Sequence, residues 1–566
     1  MPTSAADTPS PSRRERRVIA ILALAVLALA AYRASVGQSF YDDTFYAVVP
    51  WRFAHGARFL IDELSLQTVG EMVSVPLVWI WEHLAGLTGI VLAIRLFWVA
   101  LAATGAAICV RALRSTARTA VVAFAVTVPL LAPPYEVFAP TYNTVSSLLL
   151  TLAVVLGFAA LRDHDRACAA WAGVALALGA AAYPPLAIAA LVLLVTFTAL
   201  ARDRQLALRA IAAAVVTGGL VAVALLARAS LTDLRHAIAF GSANVPSIQT
   251  PLGKFSWVFG NTGAALVTPL LLPMWALALA ASIPRIPPRV RSVALALIPL
   301  AAVAPGIELL VRGDHLTFGT STQSWLITAS AGLVVPCVMA ARRLKRPDLL
   351  RFLVLATPFS AVGYLTVAYV TNSSWNRGMP AIALAPLVVG ILLCWGTSLA
   401  EEGGSWLFWS GAGITLLVAF ALLFSTAFAD DSFWQRQTRV TGGAYAGLLT
   451  SPAHAARLGA LATGAHTWVK PGSRVTFLGQ EEAYLVSGGE PLTPAAWLFL
   501  GPADAAAITY FDRVGQTPDI VFVSDYDVAH AGGYEREAVR DPLLRWVVAR
   551  YRNADDVGGF RVYARR

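Results

Sequence analysis

Charged residues are scarce in this chain. Asp, Glu, Lys and Arg make up 13% of its 566 residues, whereas 57% are hydrophobic and the mean hydropathy is +0.65. A soluble globular protein typically carries about 25% charged residues, so this composition excludes that class. The net charge of +10 does not indicate a nucleic-acid partner, because the Lys and Arg residues form short clusters between apolar runs rather than a stripe along one face.

Cysteine is scarce as well. The four cysteines lie inside or at the ends of apolar runs and have no metal-type spacing, which argues against a disulfide framework and against a cysteine-based metal site. A Gly-rich phosphate loop is also missing after the first strand predicted in the C-terminal region. A nucleotide site there is therefore not supported.

Long apolar runs are abundant. Each bilayer crossing needs about 20 apolar residues, and basic clusters mark the cytoplasmic side, so the chain is predicted to be a polytopic α-helical membrane protein with about 13 transmembrane helices. Residues 1–17 are predicted to be a disordered cytoplasmic N-terminus, and residues 18–429 a transmembrane domain whose first outer loop is 37–88. The predicted spans are about 18–36, 89–110, 119–133, 144–161, two within 168–200, 210–228, 262–283, 292–310, 325–341, 352–371, 379–399 and 406–428.

The C-terminal region, residues 430–566, differs in composition and would lie outside the membrane. Strand-like patterns occur at 474–478, 519–523 and 560–563, and helix-like patterns at 495–513 and 534–551. This alternation predicts a small extracytoplasmic α/β domain preceded by a linker.

Two adjacent carboxylates, Asp42 and Asp43, follow the first predicted span. One interpretation is that they cap a helix starting near Thr44, because Asp accepts hydrogen bonds from the free N–H groups of a first turn. The functional interpretation is that one of them takes a proton from an incoming hydroxyl group. The pair also offers a tentative divalent-metal site, although adjacent side chains diverge by about 100° on a helix and 180° on a strand.

The surroundings of this pair resemble a known family. A short basic N-terminus, one span, an outer Asp-Asp followed by Phe-Tyr, an aromatic-rich segment ending in a His-Gly turn (Trp51 to Gly56) and a second span that opens with Ile94-Arg95-Leu96 resemble the membrane-embedded GT-C glycosyltransferases. Within that group the chain is most similar to the protein-mannosyltransferase and aminoarabinose-transferase type. The similarity in plan covers most of the chain, and the motif match covers about residues 40–100.

The resemblance implies a polyprenyl-phosphate sugar as donor and an essential acidic residue in the first outer loop. Carried over to this chain, the implied catalytic carboxylates are Asp42 and Asp43, and Glu136 occupies the place of a further acidic residue in the next outer hairpin. Asp43 stands where relatives often carry Glu, and Pro50 is expected to interrupt the helix that follows. Metal dependence and the division of roles between the two aspartates stay open.

A lipid-phosphate donor needs a cationic partner near the outer leaflet, and the planar fork of arginine suits phosphate. Arg377, in a short outer loop rich in Asn and Ser, is the first candidate, and Arg95 is the second. Interfacial snorkelling is the alternative role for Arg377. The first outer loop also contains His55, Glu71 and His83, to which no role is assigned.

The resemblance, together with the outward position of the polar clusters, implies a glycosyltransferase in a bacterial cytoplasmic membrane, and inversion at the sugar is expected from the same resemblance. It would move a sugar from a polyprenyl-phosphate donor to a glycan, lipid or protein acceptor of the cell envelope, and nucleic acid would not be a partner. Two alternatives remain: a flippase or other transporter of lipid-linked saccharides, and a non-catalytic envelope-assembly protein. The sugar and the acceptor are not identified by the sequence.

Overall fold

The fold is described from a computed structural model. It describes residues 13–37, 44–131, 137–244, 251–266, 269–311, 332–371, 382–425, 431, 433–481, 483–498, 500–501, 504–525, 528 and 541–566. Four of the predicted site residues, Asp42, Asp43, Glu136 and Arg377, lie outside the described residues, as do residues 1–12.

Helices dominate the described chain up to residue 425. They are α1 (Arg13–Ala34), α2 (Phe45–Ala54), α3 (Val75–Ala85), α4 (Ile90–Leu113), α5 (Thr119–Leu131), α6 (Tyr142–Asp163), α7 (Arg166–Ala182), α8 (Ala187–Leu200), α9 (Arg204–Leu226), α10 (Leu231–Asn244), α11 (Pro251–Leu266), α12 (Leu272–Ser282), α13 (Pro288–Val311), α14 (332–343), α15 (Pro347–Val370), α16 (Ala385–Glu402) and α17 (Gly404–Ser425). Short 3-10 turns occur at Glu71–Ser74, Pro184–Leu186 and Pro269–Leu271.

The predicted fold class is confirmed: a polytopic helical domain precedes a small α/β domain. Among the described residues, six helices are long and apolar enough to cross a membrane, and five shorter apolar helices accompany them. The predicted count of about 13 spans is not confirmed by this measure. The predicted break at Tyr183-Pro184-Pro185 separates α7 from α8, as expected where proline removes a backbone donor.

Two predictions for these helices are wrong: the unbroken span at 262–283 and the interruption at Pro50. The span predicted at 262–283 is divided between α11 and α12 by the turn Pro269–Leu271, because Pro269 and Pro273 both lack the N–H that a continuous helix would use. The first candidate span, Arg16–Ala34, lies within two residues of the span predicted at about 18–36. Helix α2 continues through Pro50 and loses one backbone hydrogen bond there, and all its residues up to Arg52 are buried.

One end of the helical domain gathers the basic loops that were predicted to be cytoplasmic. Glu402 accepts hydrogen bonds from Arg343 and from Arg291 Nε, the latter at 3.0 Å. Arg346 donates to the Thr116 carbonyl. These contacts bring the predicted loops 111–118, 285–291 and 342–351 together at one end, opposite the end at which the C-terminal domain packs.

The C-terminal domain is built on a five-stranded sheet of order β4-β3-β5-β7-β6. Its elements are β1 (Thr438–Arg439), β2 (Leu449–Thr450), α18 (Pro452–Trp468), β3 (Arg474–Leu478), α19 (Ala483–Ser487), β4 (Glu490–Pro491), α20 (Asp504–Val514), β5 (Ile520–Ser524), α21 (Pro542–Arg550), β6 (Tyr551–Val557) and β7 (Phe560–Arg565). Strand β3 pairs in parallel with β4 and β5, while β7 is antiparallel to β5 and β6.

The three predicted strands are found as β3, β5 and β7, but two predictions in this domain are wrong. The predicted linker contains helix α18, whose first turn is capped by the Ser451 hydroxyl accepting from His454 N. The helix predicted at 495–513 begins only at Asp504, and residues 495–498 follow an irregular path. A hydrogen bond from Ala496 N to Glu63 of the first outer loop holds this irregular segment.

The two domains share one hydrophobic core. Buried side chains of α2 and of the start of α4, including Val48 and Ile94, belong to the same packed cluster as Phe477 of β3 and Tyr484 of α19. The C-terminal domain is therefore continuous with the helical domain in its packing, and it covers the end that carries the first outer loop.

Candidate active site

The acidic stretch, defined here as residues 38–43, is held at both of its flanks by Arg95. On one side, Arg95 Nη1 donates to the Gly37 carbonyl at 2.7 Å, and on the other, Arg95 Nε donates to the Tyr46 hydroxyl at 2.8 Å. The guanidinium also lies over the Tyr46 ring, at 5.9 Å from its centroid. Arg95 is 3% exposed, so a buried cation joins described residues that come before and after Asp42 and Asp43 in the sequence.

Helix α2 begins directly after the acidic stretch. Its N-cap residue is Thr44, whose carbonyl accepts from the N–H groups of Ala47 and Val48 at 2.8 and 3.0 Å. The cap position itself is thus taken by Thr44, which makes no side-chain cap hydrogen bond. Thr44, the first described residue after the acidic stretch, is fully buried.

Glu71 meets the N-terminus of α6 next to this region. Its Oε1 accepts a hydrogen bond from the backbone N–H of Tyr142 at 2.8 Å, and the residue is 0% exposed. Burial raises the pKa of Glu71 to about 8, although the Tyr142 N–H opposes that rise. A carboxyl group with such a pKa retains its proton near neutral pH and can donate a hydrogen bond as well as accept one.

The close approach that allows this contact requires glycine at position 70. A Cβ at Gly70 would lie 2.6 Å from the backbone N and Cα of Tyr142. The start of α6 is itself fixed by a capping box, in which the Thr141 hydroxyl accepts from Asn143 N and Thr144 N. The first outer loop and α6 are therefore joined by one glycine contact and one carboxyl hydrogen bond.

Several buried oxygen atoms in this region lack a partner. Among the described residues, no hydrogen bond reaches Thr44 Oγ1, Glu71 Oε2, Ser74 Oγ or Asn143 Oδ1. Ser74 ends the turn that Glu71 begins, and Asn143 follows Tyr142 in α6. A buried polar group without a partner costs about 1–3 kcal/mol, so a set of such groups beside the acidic stretch marks a candidate ligand site.

Aromatic rings surround the same region. The Phe45 ring lies 5.8 Å from that of Tyr142, and Tyr142 lies 5.1 Å from Tyr183. From the C-terminal domain, Trp497 stacks on Phe45 at 5.6 Å with an interplanar angle of 5°. The rings of Phe45, Tyr142, Tyr183 and Trp497 therefore meet in one place. The first three come from separate segments of the helical domain and the fourth from the C-terminal domain.

A buried ion pair anchors the C-terminal domain here. Arg52 of α2 pairs with Glu63, and their side chains are 4% and 1% exposed. Arg52 Nη2 also donates to the Thr493 carbonyl at 2.8 Å, and Glu63 Oε2 accepts from Ala496 N at 2.8 Å. Because buried charges are stable only when paired and hydrogen-bonded, these contacts fix the orientation of the C-terminal domain on the first outer loop.

A second, more exposed contact supports the same docking. Arg513 Nη1 of α20 donates to Asp233 Oδ1 of α10 at 3.0 Å, and Arg513 Nη2 donates to the Ile61 carbonyl at 2.9 Å. Hydrogen bonds from Ser230 lower the pKa of Asp233, and Arg513 adds to that effect. Exposed pairs of this kind contribute about 0–1 kcal/mol, so this contact is secondary to Arg52 and Glu63.

Of the predicted site residues, Arg95 is the one within the described chain, and there it holds both flanks of the acidic stretch. The tentative metal ligands Asp42 and Asp43 lie outside it. Within the described residues, no group of three or more His, Cys, Asp or Glu side chains is placed to bind a metal ion.

Glu71 and Trp497 lie in this region, and the sequence assigned no role to either. The sequence offers one signal for Glu71, which is a lone carboxylate in the apolar run Val69-Gly70-Glu71-Met72-Val73, but glutamate is almost never fully buried without a partner, so its burial was not predicted. Trp497 carries no comparable signal, since its role depends on the packing of two distant segments.

Comparisons with known proteins gave a likeness to solved structures. No family model and no curated protein sequence matches this chain. Among solved structures, the chain is similar to ArnT from Cupriavidus metallidurans, whose crystal structure has undecaprenyl phosphate bound; the identity is 12%, 97% of each chain is covered, and the TM-score is 0.47.

Proposed function

We propose that this chain is a membrane-embedded glycosyltransferase that uses a polyprenyl-phosphate sugar. It transfers the sugar to a glycan, lipid or protein acceptor of the cell envelope at the outer face of the bacterial cytoplasmic membrane. The C-terminal domain then lies outside the membrane and covers the site.

One observation carries this proposal. Arg95 bonds Gly37 and Tyr46, which precede and follow the acidic stretch in sequence, and the region around Tyr142 contains buried oxygen atoms that have no partner among the described residues, including Glu71 Oε2 and Asn143 Oδ1. Such a place suits a hydroxyl-rich ligand, because sugar hydroxyl groups both donate and accept hydrogen bonds. It also suits proton removal, because two carboxylates follow within the same stretch.

The reaction is a single displacement at the anomeric carbon. The acceptor hydroxyl oxygen forms the new glycosidic bond, the bond between the anomeric carbon and the donor phosphate oxygen breaks, and its electron pair leaves with the polyprenyl phosphate. Asp42 or Asp43 takes the acceptor proton, and the configuration at the sugar inverts. Glu136, in the next outer hairpin, is proposed as a further acidic group of the site.

The phosphate group is proposed to meet Arg377, whose guanidinium fork matches phosphate oxygens. Arg95, the second candidate, directs Nε and Nη1 to Tyr46 and to the Gly37 carbonyl. We therefore assign to Arg95 the positioning of the acidic stretch rather than direct contact with the donor. A divalent ion held by Asp42 and Asp43 stays a proposal that chelation by EDTA tests directly.

The experiment that tests the function uses the full-length protein in lipid nanodiscs with labelled polyprenyl-phosphate mannose, arabinose and galactose. The wild type is expected to consume one donor and to transfer its sugar. Asp42→Asn or Asp43→Asn is expected to lower turnover by about 10²–10⁴-fold, the usual contribution of a general base. Asp62→Asn is the matched control, because Asp62 pairs with Arg58 on the surface of the same loop.

Full transfer activity in both aspartate variants would contradict the proposed mechanism. A transporter would instead move the lipid-linked sugar across the bilayer without forming a glycosidic bond. Transporters commonly place ionisable residues at mid-membrane depth, whereas the buried charged residues described in these spans, Arg33, Arg95 and Arg291, lie within two turns of a helix end. The enzyme is therefore the function that the described residues support best.

A further inference from the structure

Helix α3, in the first outer loop, exposes one apolar face. Its exposed residues Pro76, Trp79, Ile80, His83 and Leu84 recur at the spacing that places side chains on one side of a helix. Trp79, Ile80 and Leu84 are 53%, 49% and 79% exposed. None of the five residues is acidic, and none is Lys or Arg. We call this set the apolar face of α3.

The opposite side of α3 is packed against the protein. Val78, which lies about half a turn from the middle of the apolar face, is 0% exposed and belongs to the hydrophobic cluster that contains Phe477 and Tyr484 of the C-terminal domain. Trp81 Nε1 donates to the Thr88 carbonyl at 2.9 Å. These contacts fix the rotation of the helix, so the apolar face is directed away from the C-terminal domain.

The two ionisable residues of α3 make contacts within the first outer loop. Glu82 Oε1 lies 3.2 Å from Nε2 of His55, the residue that ends α2. The His83 ring packs on Trp79 with centroids 4.4 Å apart, and its Nδ1 lies 2.7 Å from the Trp79 carbonyl oxygen. What the exposed side of α3 offers to a partner is therefore mainly apolar surface.

Helix α3 is too short to cross a bilayer. Its 11 residues extend over about 16 Å, which is about half of the 30 Å hydrocarbon core. Residues 86–89 join it to α4, whose 24 residues form one of the candidate membrane spans. Gly86 and Gly89 both have positive φ, at 61° and 72°, which permits this tight turn. Because α3 ends so close to the start of a span, it lies at the level of the membrane surface.

We propose that the apolar face of α3 lies in the outer leaflet of the bilayer, so that the partner of this surface is the lipid layer itself. Interfacial helices place their apolar side chains about 5–10 Å into the boundary between headgroups and acyl chains, and tryptophan is enriched at that boundary. The inference requires the helical domain to be embedded in a bilayer, and it does not depend on sugar transfer.

A second copy of the chain fits this face less well than lipid does. A stable protein–protein interface takes about 800 Å² from each partner, or about 20–30 residues a side, and the apolar face of α3 consists of only five residues. The helix that follows also exposes apolar side chains, since Leu96 and Ile108 of α4 are 41% and 40% exposed. Contact with acyl chains accounts for the exposed apolar residues of both helices.

The position of α3 also bears on the candidate site. The turn Glu71–Ser74 leads directly into α3 at Val75, and Glu71 Oε1 accepts from Tyr142 N. A helix held in the leaflet therefore fixes the depth of the Glu71 carboxyl group relative to the membrane. In the proposed function, the phosphate group of the polyprenyl donor lies at the same level.

Cysteine labelling tests whether water reaches this face. Ile80→Cys and Leu84→Cys, each in the full-length protein in lipid nanodiscs, are treated with a sulfonated maleimide, and the labelling of wild type is subtracted. Because a charged reagent is excluded from the apolar layer, both positions are expected to react about tenfold more slowly than Ala460→Cys, at an exposed position of α18 in the C-terminal domain. All three should react alike after denaturation in SDS. Labelling of either position as fast as that of Ala460→Cys would overturn the proposal.

Brominated lipids then identify what covers the face. An uncharged bimane group attached to Leu84→Cys is expected to lose about half of its fluorescence in nanodiscs of phosphatidylcholine brominated near the headgroup end of the acyl chains, the depth that an interfacial helix reaches. Bimane on Ala460→Cys is the control and should keep its fluorescence. Nanodiscs that hold one copy of the chain exclude a second copy as the cover.

Protection from the maleimide without quenching by brominated lipid would mean that another segment of protein covers the face, and the assignment to lipid would then be wrong. Neither measurement involves sugar transfer. The result therefore stands or falls separately from the proposed enzyme activity.

Discussion

Replacing Glu71 with Gln tests whether its carboxyl group is neutral in the folded protein. Gln has the same shape as the protonated side chain and retains an oxygen that accepts from Tyr142 N. The substitution therefore removes the titration while leaving the hydrogen bond to α6 in place. Any change in stability with pH that disappears in Glu71→Gln belongs to this one group.

The sign follows from the two pKa values. The folded-state pKa of Glu71 is about 8, against an ordinary value of 4.5. Below the ordinary value both states hold the proton and Glu71 carries no penalty. As the pH rises, the unfolded chain releases a proton that the folded protein keeps, so stability falls until the pH passes about 8. The full loss corresponds to about 5 kcal/mol at 1.36 kcal/mol per pKa unit.

Thermal unfolding in detergent or nanodiscs, followed from about pH 5 to pH 9, measures this effect. Glu71→Gln is expected to unfold at a higher temperature than wild type at the alkaline end, with the difference shrinking towards the acid end. Glu490→Gln, at an exposed position, is the control and should follow wild type. A Glu71→Gln protein less stable than wild type at the alkaline end would show that the native carboxyl group is ionised and that the reasoning from burial is wrong.

Three further substitutions test the contacts around this group. Gly70→Ala should lower the unfolding temperature markedly and reduce transfer, since its Cβ would lie 2.6 Å from the Tyr142 backbone, whereas Gly218→Ala, which meets nothing within 4 Å, should not. Arg52→Met or Glu63→Met alone should cost about 3–5 kcal/mol in thermal or denaturant unfolding, and the double variant less than the sum, because each single change leaves a buried charge unpaired. Arg95→Met should reduce kcat for transfer with little change in the KM for the donor, as expected of a positioning residue; a large rise in donor KM alone would restore Arg95 as a phosphate ligand.

Hydropathy and basic clusters were sufficient to predict most of the helical domain. Helices α7 and α8, for example, are separated at Tyr183-Pro184-Pro185 because local chemistry alone stops a helix there. Strands β3, β5 and β7 were also predicted from the sequence, since short runs of β-branched and aromatic residues favour the β-strand conformation.

The failures occur where distant contacts decide the local structure. Residues 495–498 have a helical pattern but are irregular, because Ala496 N donates to Glu63 of the first outer loop and the Leu498 carbonyl accepts from Gly479 N. Arg52 and Leu64 hold the preceding carbonyls of Thr493 and Pro494. No window of sequence contains both partners of these bonds, so periodicity could not have predicted the irregular path.

Distant contacts also make two glutamates of the first outer loop different from each other. Glu63 and Glu71 are eight residues apart and almost equally buried. Burial raises the pKa of Glu63, but the Arg52 guanidinium and the N–H groups of Ala496 and Ser65 oppose that rise. Glu71 has the Tyr142 N–H and a second oxygen that no described residue contacts.

Because their partners differ, the two carboxyl groups have different roles. Glu63 has its charge and both oxygens committed to joining the domains, so a substrate could engage it only by breaking the ion pair. Glu71 keeps an oxygen and an exchangeable proton available beside the acidic stretch, at the cost of a buried group that is not fully satisfied. Proteins keep such a cost where it serves a ligand, and for that reason Glu71 rather than Glu63 belongs with Asp42 and Asp43 in the proposed site.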